Sequence, residues 1–140
     1  MADAKLSGTR VSATSNTLTT PRLVSTVVSG AEIAIQCPSW CVIDHAESSN
    51  LYLEDVRHES DYADLNAKVI GKADNLQLFA RLGQSLVSTQ AHRMAPYLVL
   101  DGGDDAEELT LDGADEFADN LVAFAAQIRE LTRAARGGTR

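Results

Sequence analysis

Two cysteines and two histidines constrain the fold of this chain more than any other sequence feature. Cys37, Cys41 and His45 follow one another at intervals of four residues, and His58 comes thirteen residues after His45. Two thiolates and two imidazoles complete a tetrahedral zinc shell, and the thiolates balance the 2+ charge of the ion. If residues 40–45 form a helical turn, the first three side chains share one face of it. The spacing therefore predicts a zinc site made of Cys37, Cys41, His45 and His58.

The same residues allow two other interpretations. The cysteines could be buried and inert while the histidines lie on the surface, because free cysteine is among the most buried residue types. Alternatively, Cys37 and Cys41 could form a reversible disulfide. The first twenty residues lack the apolar run of a secretion signal, so we expect a cytoplasmic, reducing compartment. There a close cysteine pair more often binds metal or acts in redox chemistry than forms a structural disulfide.

The residue between the two cysteines is also informative. Trp40 carries the largest apolar side chain of this segment. We expect its ring to cover the metal site and to join the core. The alternative is an exposed contact for a protein partner, a role in which tryptophan is enriched.

Composition and charge narrow the class of protein. The chain has 140 residues, 44% of them hydrophobic and only 5% aromatic, which suits one domain with an aliphatic core. Its formal net charge of -8 repels nucleic-acid phosphates and anionic lipids. No run of eighteen apolar residues occurs, so no membrane-spanning helix is expected. A protein partner fits this surface better than nucleic acid or a membrane does.

The order of apolar and polar residues predicts one folded domain over residues 21–136. Residues 1–20 are polar and rich in Ser and Thr, which predicts a disordered tail, and residues 137–140 are expected to form a flexible one. A turn at Ser29-Gly30 joins two predicted strands into a hairpin that runs into Cys37. Gly83 is expected to break a later strand or to form a bulge in it. The predicted strands cover residues 23–28, 32–36, 50–57, 76–82 and 96–100, with a short extension over 108–111.

The end of the chain shows the clearest helical pattern. Asp112 is the predicted N-cap, and Gly137-Gly138 is the predicted stop. Apolar residues recur at helical spacing from Ala114 to Leu131. Acids stand in the first turn and arginines in the last, as the helix dipole favours. The expected fold is therefore α+β: an antiparallel sheet of about five strands, one C-terminal helix packed on a face, and a short loop held by metal.

The segment around the cysteines resembles a known family. Cys37, Pro38, Trp40 and Cys41 form a C-P-x-W-C motif, with His45 after it. In this the chain is similar to an actinobacterial family of small domains of unknown function, and the similarity extends over roughly residues 30–135. The resemblance implies a further histidine downstream, for which His58 is the match. It supports the fold and the metal site, and it implies no activity.

The sequence leaves several functions open. A closed set of four ligands favours a structural zinc site in a non-enzymatic module that binds a protein or regulates one. A metal-dependent hydrolase would need an open coordination position and a base, for which Glu47 or Glu59 could serve. A thiol redox sensor would release the metal when Cys37 and Cys41 are oxidised.

Overall fold

The computed structural model describes residues 21–137, which form two β-sheets followed by one long α-helix. The tails predicted over residues 1–20 and 137–140 lie outside these residues, apart from Gly137, which ends the helix. Within residues 21–137, no helix combines the length and the apolar character needed to cross a membrane.

The first sheet is built on the predicted hairpin. Strands β1 (Arg22–Val28) and β2 (Ala31–Cys37) pair antiparallel, and β3 (Ser49–Asn50) adds to β1 in parallel. Ser29 and Gly30 turn the chain with φ values of 51° and 80°. Two positive φ values in a two-residue turn match the twist of a hairpin and leave one register. In that register, Arg22 lies opposite Cys37.

The second sheet has five antiparallel strands arranged around one long strand. That strand, β6 (Leu76–Ser85), pairs on one edge with β4 (Arg57–Glu59) and β5 (Ala63–Ala67). On its other edge it pairs with β7 (Tyr97–Asp101), which pairs with β8 (Ala106–Leu109). Helix α1 (Leu111–Gly137) follows and contacts β7 and β8. The predicted α+β class, with a five-stranded antiparallel sheet and a C-terminal helix, is confirmed.

Some strands of the five-stranded sheet differ from the predicted strands. The first hairpin stands in its own sheet, and the strand predicted over residues 50–57 is wrong. Within that stretch, residues 53–55 form a 3-10 turn, and Asp55 accepts a hydrogen bond from the Tyr52 backbone N–H at 3.1 Å. A carboxylate that bonds the nearby backbone competes with strand pairing. Strand β5 was not predicted because all five of its residues are exposed, so it carries no alternation of buried and exposed positions.

Gly83 does not interrupt β6, contrary to the prediction. The strand continues to Ser85, and Gly83 pairs with Tyr97 on β7. A β-carbon at Gly83 would lie 2.9 Å from Cζ of the Tyr97 ring. The glycine therefore leaves room for the tyrosine ring to lie against the backbone of the central strand.

Helix α1 begins one residue before the predicted cap. Leu111 is its first residue, so Thr110 takes the capping position in place of Asp112. The Thr110 hydroxyl accepts a hydrogen bond from the Gly113 N–H at 3.1 Å, and its carbonyl accepts one from the Ala114 N–H at 2.8 Å. A threonine hydroxyl, like an aspartate carboxylate, can accept a hydrogen bond from a first-turn N–H. The predicted helix is confirmed, and Gly138 of the predicted stop lies outside the described residues.

The fully buried side chains form a small core. Apart from the glycine on β6, the described residues that are buried come from β1, β2, the segment after β2, and the start of the second sheet. They are Thr26, Ile35, Cys37, Cys41, His45, Val56 and His58. Four of these seven are the predicted metal ligands, so the most enclosed part of the domain lies around them.

An exposed ionic cluster ties the loop before β7 to β8. Glu108 accepts hydrogen bonds from His92 at 2.6 Å and from Arg93, whose nearest contact to the carboxylate is 2.7 Å. The hydrogen bond with Arg93 first, and that with His92 next, hold the pKa of Glu108 below its ordinary value.

Replacing Glu108 by Gln should lower the free energy of unfolding at pH 7 by only about 0.5 kcal/mol, because solvent screens the cluster. A lowered carboxyl pKa contributes stability above the unfolded pKa of about 4.3, and the contribution disappears as the pH falls through the folded pKa. Urea titrations of both proteins at several pH values should therefore converge at low pH. A difference that grows as the pH falls would contradict this account.

Candidate metal centre

The structure brings all four predicted ligands together. One ligand atom from each of Cys37, Cys41, His45 and His58 lies within 4.8 Å of the others. The Cys41 Sγ is 3.5 Å from the His45 Nε2, which is 3.2 Å from the His58 Nδ1. All four side chains are between 0 and 5% exposed. Such a cluster of thiols and imidazoles could hold a metal ion.

Three different segments supply the four side chains. Cys37 is the last residue of β2, and His58 is the middle residue of β4. Cys41 and His45 lie in the irregular segment between β2 and β3. The cluster therefore joins the hairpin of the first sheet to the edge of the second sheet.

The segment that carries Cys41 and His45 is not helical. The helical turn predicted over residues 40–45 is wrong: a tight turn returns the Cys41 N–H to the Pro38 carbonyl at 3.1 Å, and the chain then runs without regular structure. The Val42 N–H donates to the Glu59 carbonyl at 2.9 Å. This bond ties the segment to β4. A local helical turn over residues 40–45 could not form it, because Glu59 is distant in the sequence. The hydrogen bond to β4 has therefore replaced the backbone hydrogen bonds that a helical turn would make within the segment.

A second turn positions His45. The Asp44 carboxylate accepts a hydrogen bond from the Ala46 N–H at 3.1 Å. The Asp44 carbonyl accepts another from the Ser48 hydroxyl at 2.8 Å. Aspartate commonly fixes a turn in this way, by bonding the backbone two residues on. The turn holds the imidazole of His45 towards Cys41 and His58.

Both imidazoles are in an environment that favours the neutral ring. Burial is the largest cause that lowers the pKa of His45, and the positive charge of Arg22 adds to it. Burial also lowers the pKa of His58 most, and proximity to His45 lowers it further. A metal binds the neutral imidazole, so these shifts favour the ligand form. The two rings cross at 80° with their centroids 5.0 Å apart, and the Nε2 of His45 faces the Nδ1 of His58.

The backbone of Gln36 acts on the pKa of His58 in the opposite direction. A hydrogen bond to the Gln36 backbone raises the pKa of His58, against the two larger effects. A bond that favours the protonated ring has the imidazole N–H as donor and the backbone carbonyl as acceptor. Histidines that bind metals almost always donate their other N–H in this way, which fixes the ring orientation.

Burial acts in the opposite sense on Cys37. It raises the pKa of the thiol, and the neighbouring Cys41 raises it further, whereas Arg22 lowers it. Both cysteines are unpaired thiols, so no disulfide joins them. Burial outweighs the effect of Arg22 and favours the protonated thiol, and a metal ion is the partner that would stabilise the thiolate.

Sequence reasoning did not identify Arg22 as part of this site. The signal was present in the two-residue turn at Ser29-Gly30, because that turn sets the register that places Arg22 opposite Cys37. Its guanidinium acts on the pKa of both Cys37 and His45. Arg22 therefore places a positive charge beside the cluster.

Trp40 lies beside the cluster, as expected for a side chain that shields the metal site from solvent. Its ring meets that of His58 edge-on, with centroids 6.4 Å apart and an angle of 85° between the planes. The side chain is half-buried, so one part contacts the cluster and another faces solvent.

The two candidate bases lie apart from the donor atoms. Glu59 is engaged by Arg57 at 3.0 Å and by Arg81 at 2.7 Å. Glu47 is exposed on the loop after His45. Neither carboxylate belongs to the group of side chains around the four donors.

Comparison with known proteins places the whole described domain in one family. A family model described as "Domain of unknown function (DUF6907)" matches residues 17–137, which include all four clustered residues. No curated protein and no solved structure matches the chain. The expectation of a family of domains of unknown function is confirmed, and the match extends beyond the segment that carried the resemblance. The chain belongs to the DUF6907 family of domains of unknown function.

Proposed function

We propose that Cys37, Cys41, His45 and His58 hold one structural Zn²⁺ ion. A tetrahedral site with Zn–S distances of about 2.3 Å and Zn–N distances of about 2.0 Å separates sulfur from nitrogen by about 3.5 Å and two nitrogens by about 3.3 Å. One sulfur–nitrogen pair of the cluster, Cys41 and His45, is 3.5 Å apart, and its two histidine nitrogens are 3.2 Å apart, while all four donor atoms lie within 4.8 Å of one another. Two thiolates with two neutral imidazoles are a donor set that suits zinc.

The burial of the four donors supports a structural rather than a catalytic zinc site. Structural zinc sites fill all four positions with side chains, whereas catalytic sites keep one position open to water. Here four donors from different segments are at most 5% exposed. A full shell of this kind leaves no position for a substrate.

Zinc in this position would stabilise the fold by joining two sheets. The core contains few other buried side chains, and small domains with little core commonly depend on a metal. The ion would connect the end of β2 to β4 and fix the segment between them. We therefore assign the domain a non-enzymatic role in the cytoplasm, as a module that binds or regulates a protein partner through its surface.

The family match covers the domain as a whole, and two further features of the resemblance, the actinobacterial origin and the C-P-x-W-C motif, belong to this proposal. We infer an actinobacterial origin, with Cys37, Pro38, Trp40 and Cys41 as the mark of the family. A surface of net charge -8 favours a basic or neutral protein partner over nucleic acid.

Two alternatives are less well supported by the geometry. A hydrolase needs a general base near its metal, and Glu59 is instead paired with two arginines. A redox sensor needs an accessible thiol of low pKa, and Cys37 is fully buried with a raised pKa.

Native mass spectrometry with elemental analysis of the same sample tests the zinc site. We expect one zinc per chain and loss of that mass on chelation, together with loss of the β-hairpin signals in a nuclear magnetic resonance spectrum. X-ray absorption should show two sulfur and two nitrogen neighbours. A protein that contains no metal and keeps its spectrum would refute the proposal, and a bound water in the shell would favour the hydrolase.

A further inference from the structure

Strand β5 leaves one edge of the second sheet open. It pairs with β6 on one side, and no strand within residues 21–137 pairs with it on the other. All five of its residues are exposed. The unpaired backbone groups of an edge strand are a template for one further strand, and many domains bind an extended peptide in this way.

The hydrogen bonds of β6 show which backbone groups of β5 face the open edge. The Leu82 carbonyl accepts a hydrogen bond from the Ser60 N–H at 3.1 Å, so the even-numbered residues of β6 direct their backbone groups towards β4 and β5. In the register of β5 with β6, these even-numbered residues lie opposite odd-numbered ones. Because the direction alternates along a strand, the odd-numbered residues of β5 bond to β6. Asp64 and Asn66 therefore direct their N–H and C=O groups outwards.

The two faces of the sheet differ in chemistry at this edge. Leu65 is 57% exposed and lies on the face of α1, beside a hollow of about 270 Å³ that the helix also lines. On the opposite face, Asp64, Phe79 and Asp101 form a row across three strands, since each lies directly opposite the next. A strand added at β5 would therefore place apolar side chains on one face and polar ones on the other.

The row sets an aromatic ring between two carboxylates. A hollow of about 450 Å³ is lined by Tyr62, Asp64, Phe79 and Asp101. The rings of Tyr62 and Phe79 meet edge-on at 76°, with their centroids 6.1 Å apart. A cation is attracted both to an aromatic face and to a carboxylate. A guanidinium suits this hollow best, because its planar group stacks on rings and pairs with carboxylates through two N–H groups.

A guanidinium of the chain already contacts one of these rings. The Arg81 Cζ lies 5.7 Å from the centroid of the Tyr62 ring. The charge of Arg81 is balanced by Glu59, whose carboxylate is 2.7 Å from the guanidinium. Within residues 21–137, neither Asp64 nor Asp101 forms an ion pair. The hollow therefore offers two carboxylates to a cation from outside the described chain.

We propose that the open edge of β5 binds an extended segment of a partner protein, which adds a sixth strand to the second sheet. Apolar side chains of this segment cover Leu65, and an arginine opposite Asp64 enters the hollow towards Phe79. A basic segment also suits the net charge of -8. This inference rests on the protein-binding role proposed above and names its partner, and it does not depend on the zinc ion.

Nuclear magnetic resonance titration of the full chain with a model peptide tests the binding edge. The probe is the acetylated and amidated peptide Thr-Val-Thr-Val-Arg-Val-Thr, in which valines alternate with polar residues. The amide signals of Asp64 and Asn66 should move most. Citrulline in place of the arginine should weaken binding about fivefold, because it keeps the shape and loses the charge. Shifts confined to other parts of the chain, or equal binding of both peptides, would overturn the proposal.

The acidic hollow is tested by one variant and its matched control. Asp64→Asn should weaken binding of the arginine peptide about two- to fivefold. Asp74→Asn should leave it unchanged, because Asp74 is exposed in the turn between β5 and β6, outside the hollow. Equal losses in both variants would show a general attraction to the acidic chain, and the proposed site would then be wrong.

Asn66→Pro tests the hydrogen bonds of the edge. Proline removes an N–H that faces outwards and keeps the hydrogen bonds from β5 to β6, as edge strands tolerate. We expect the variant to stay folded and to bind the peptide at least about tenfold more weakly. Peptide binding at the wild-type affinity would contradict the proposal. Loss of the β5 signals would contradict the assigned direction of the Asn66 N–H.

Two further measurements separate other strands that could occupy the edge. A wild-type dimer in sedimentation velocity that Asn66→Pro dissociates would identify a second copy as the occupant. Peptide binding that occurs only after removal of residues 1–20 would identify that segment instead. Either result would overturn the proposal, and a monomer that binds the peptide with these residues present would support it. Zinc is measured in the same samples, so a chain with one zinc ion and no peptide binding would refute this inference and leave the zinc site standing.

Discussion

Replacing Cys41 by Ser is expected to abolish metal binding and to destabilise the domain by more than about 3 kcal/mol, because the binding free energy of a structural zinc ion is part of the folding free energy. For a domain of this size that change corresponds to a fall in melting temperature of about 10 °C or more. Elemental analysis should show that the zinc content falls from one per chain to a trace. Thermal melts followed by circular dichroism give the loss of stability.

The neighbouring residue provides the control for this experiment. Val42 is 54% exposed, so Val42→Ser should keep the metal and melt within about 2 °C of the wild type. The bond that Val42 makes to β4 uses its backbone N–H and survives the change. A Cys41→Ser variant that melts with the wild type would show that the cluster does not support the fold.

Replacing Val56 by Asp is expected to cost about 3 kcal/mol or more, because it places a carboxyl group in an enclosed apolar position. Val56 is 1% exposed and stands two residues before His58. Its carbonyl accepts a hydrogen bond from the Leu86 N–H at 3.1 Å, which fixes it beside the end of β6. Urea unfolding should show the loss as a lower midpoint, and the affinity for zinc should fall as β4 loosens.

Leu51→Asp is the matched comparison in the same connecting segment. Leu51 is 72% exposed, so its replacement should change the free energy of unfolding by no more than about 0.5 kcal/mol. If the two variants unfold at the same urea concentration, Val56 is not part of the core. If Val56→Asp loses stability but keeps its zinc affinity, the core and the cluster act independently.

The sequence predicted which four side chains come together better than it predicted the path of the chain between them. The spacing of Cys37, Cys41 and His45 suggested a helical turn, and the structure uses two non-helical turns instead. Both routes bring the side chains to one point, because the donor chemistry is a property of residue types. The backbone route depends on the bond from Val42 to the Glu59 carbonyl, which lies in a strand seventeen residues away.

The sequence alone was sufficient to predict the features that depend on residues close together in the chain, namely the first hairpin and helix α1. The Ser29-Gly30 turn sets the hairpin register, and the apolar repeat with its ordered charges defines α1, because these interactions join residues within a few positions of each other. The tertiary structure alone decided where His58 lies. It is brought to the cluster by the pairing of β4 with β6, and residues 57–59 find their partners only at residues 83–85. The role of Gly83 was mispredicted because the ring of Tyr97 that explains it is distant in the sequence. Strand β5 was not predicted for the same reason, since the edge of β6 with which it pairs comes near only on folding.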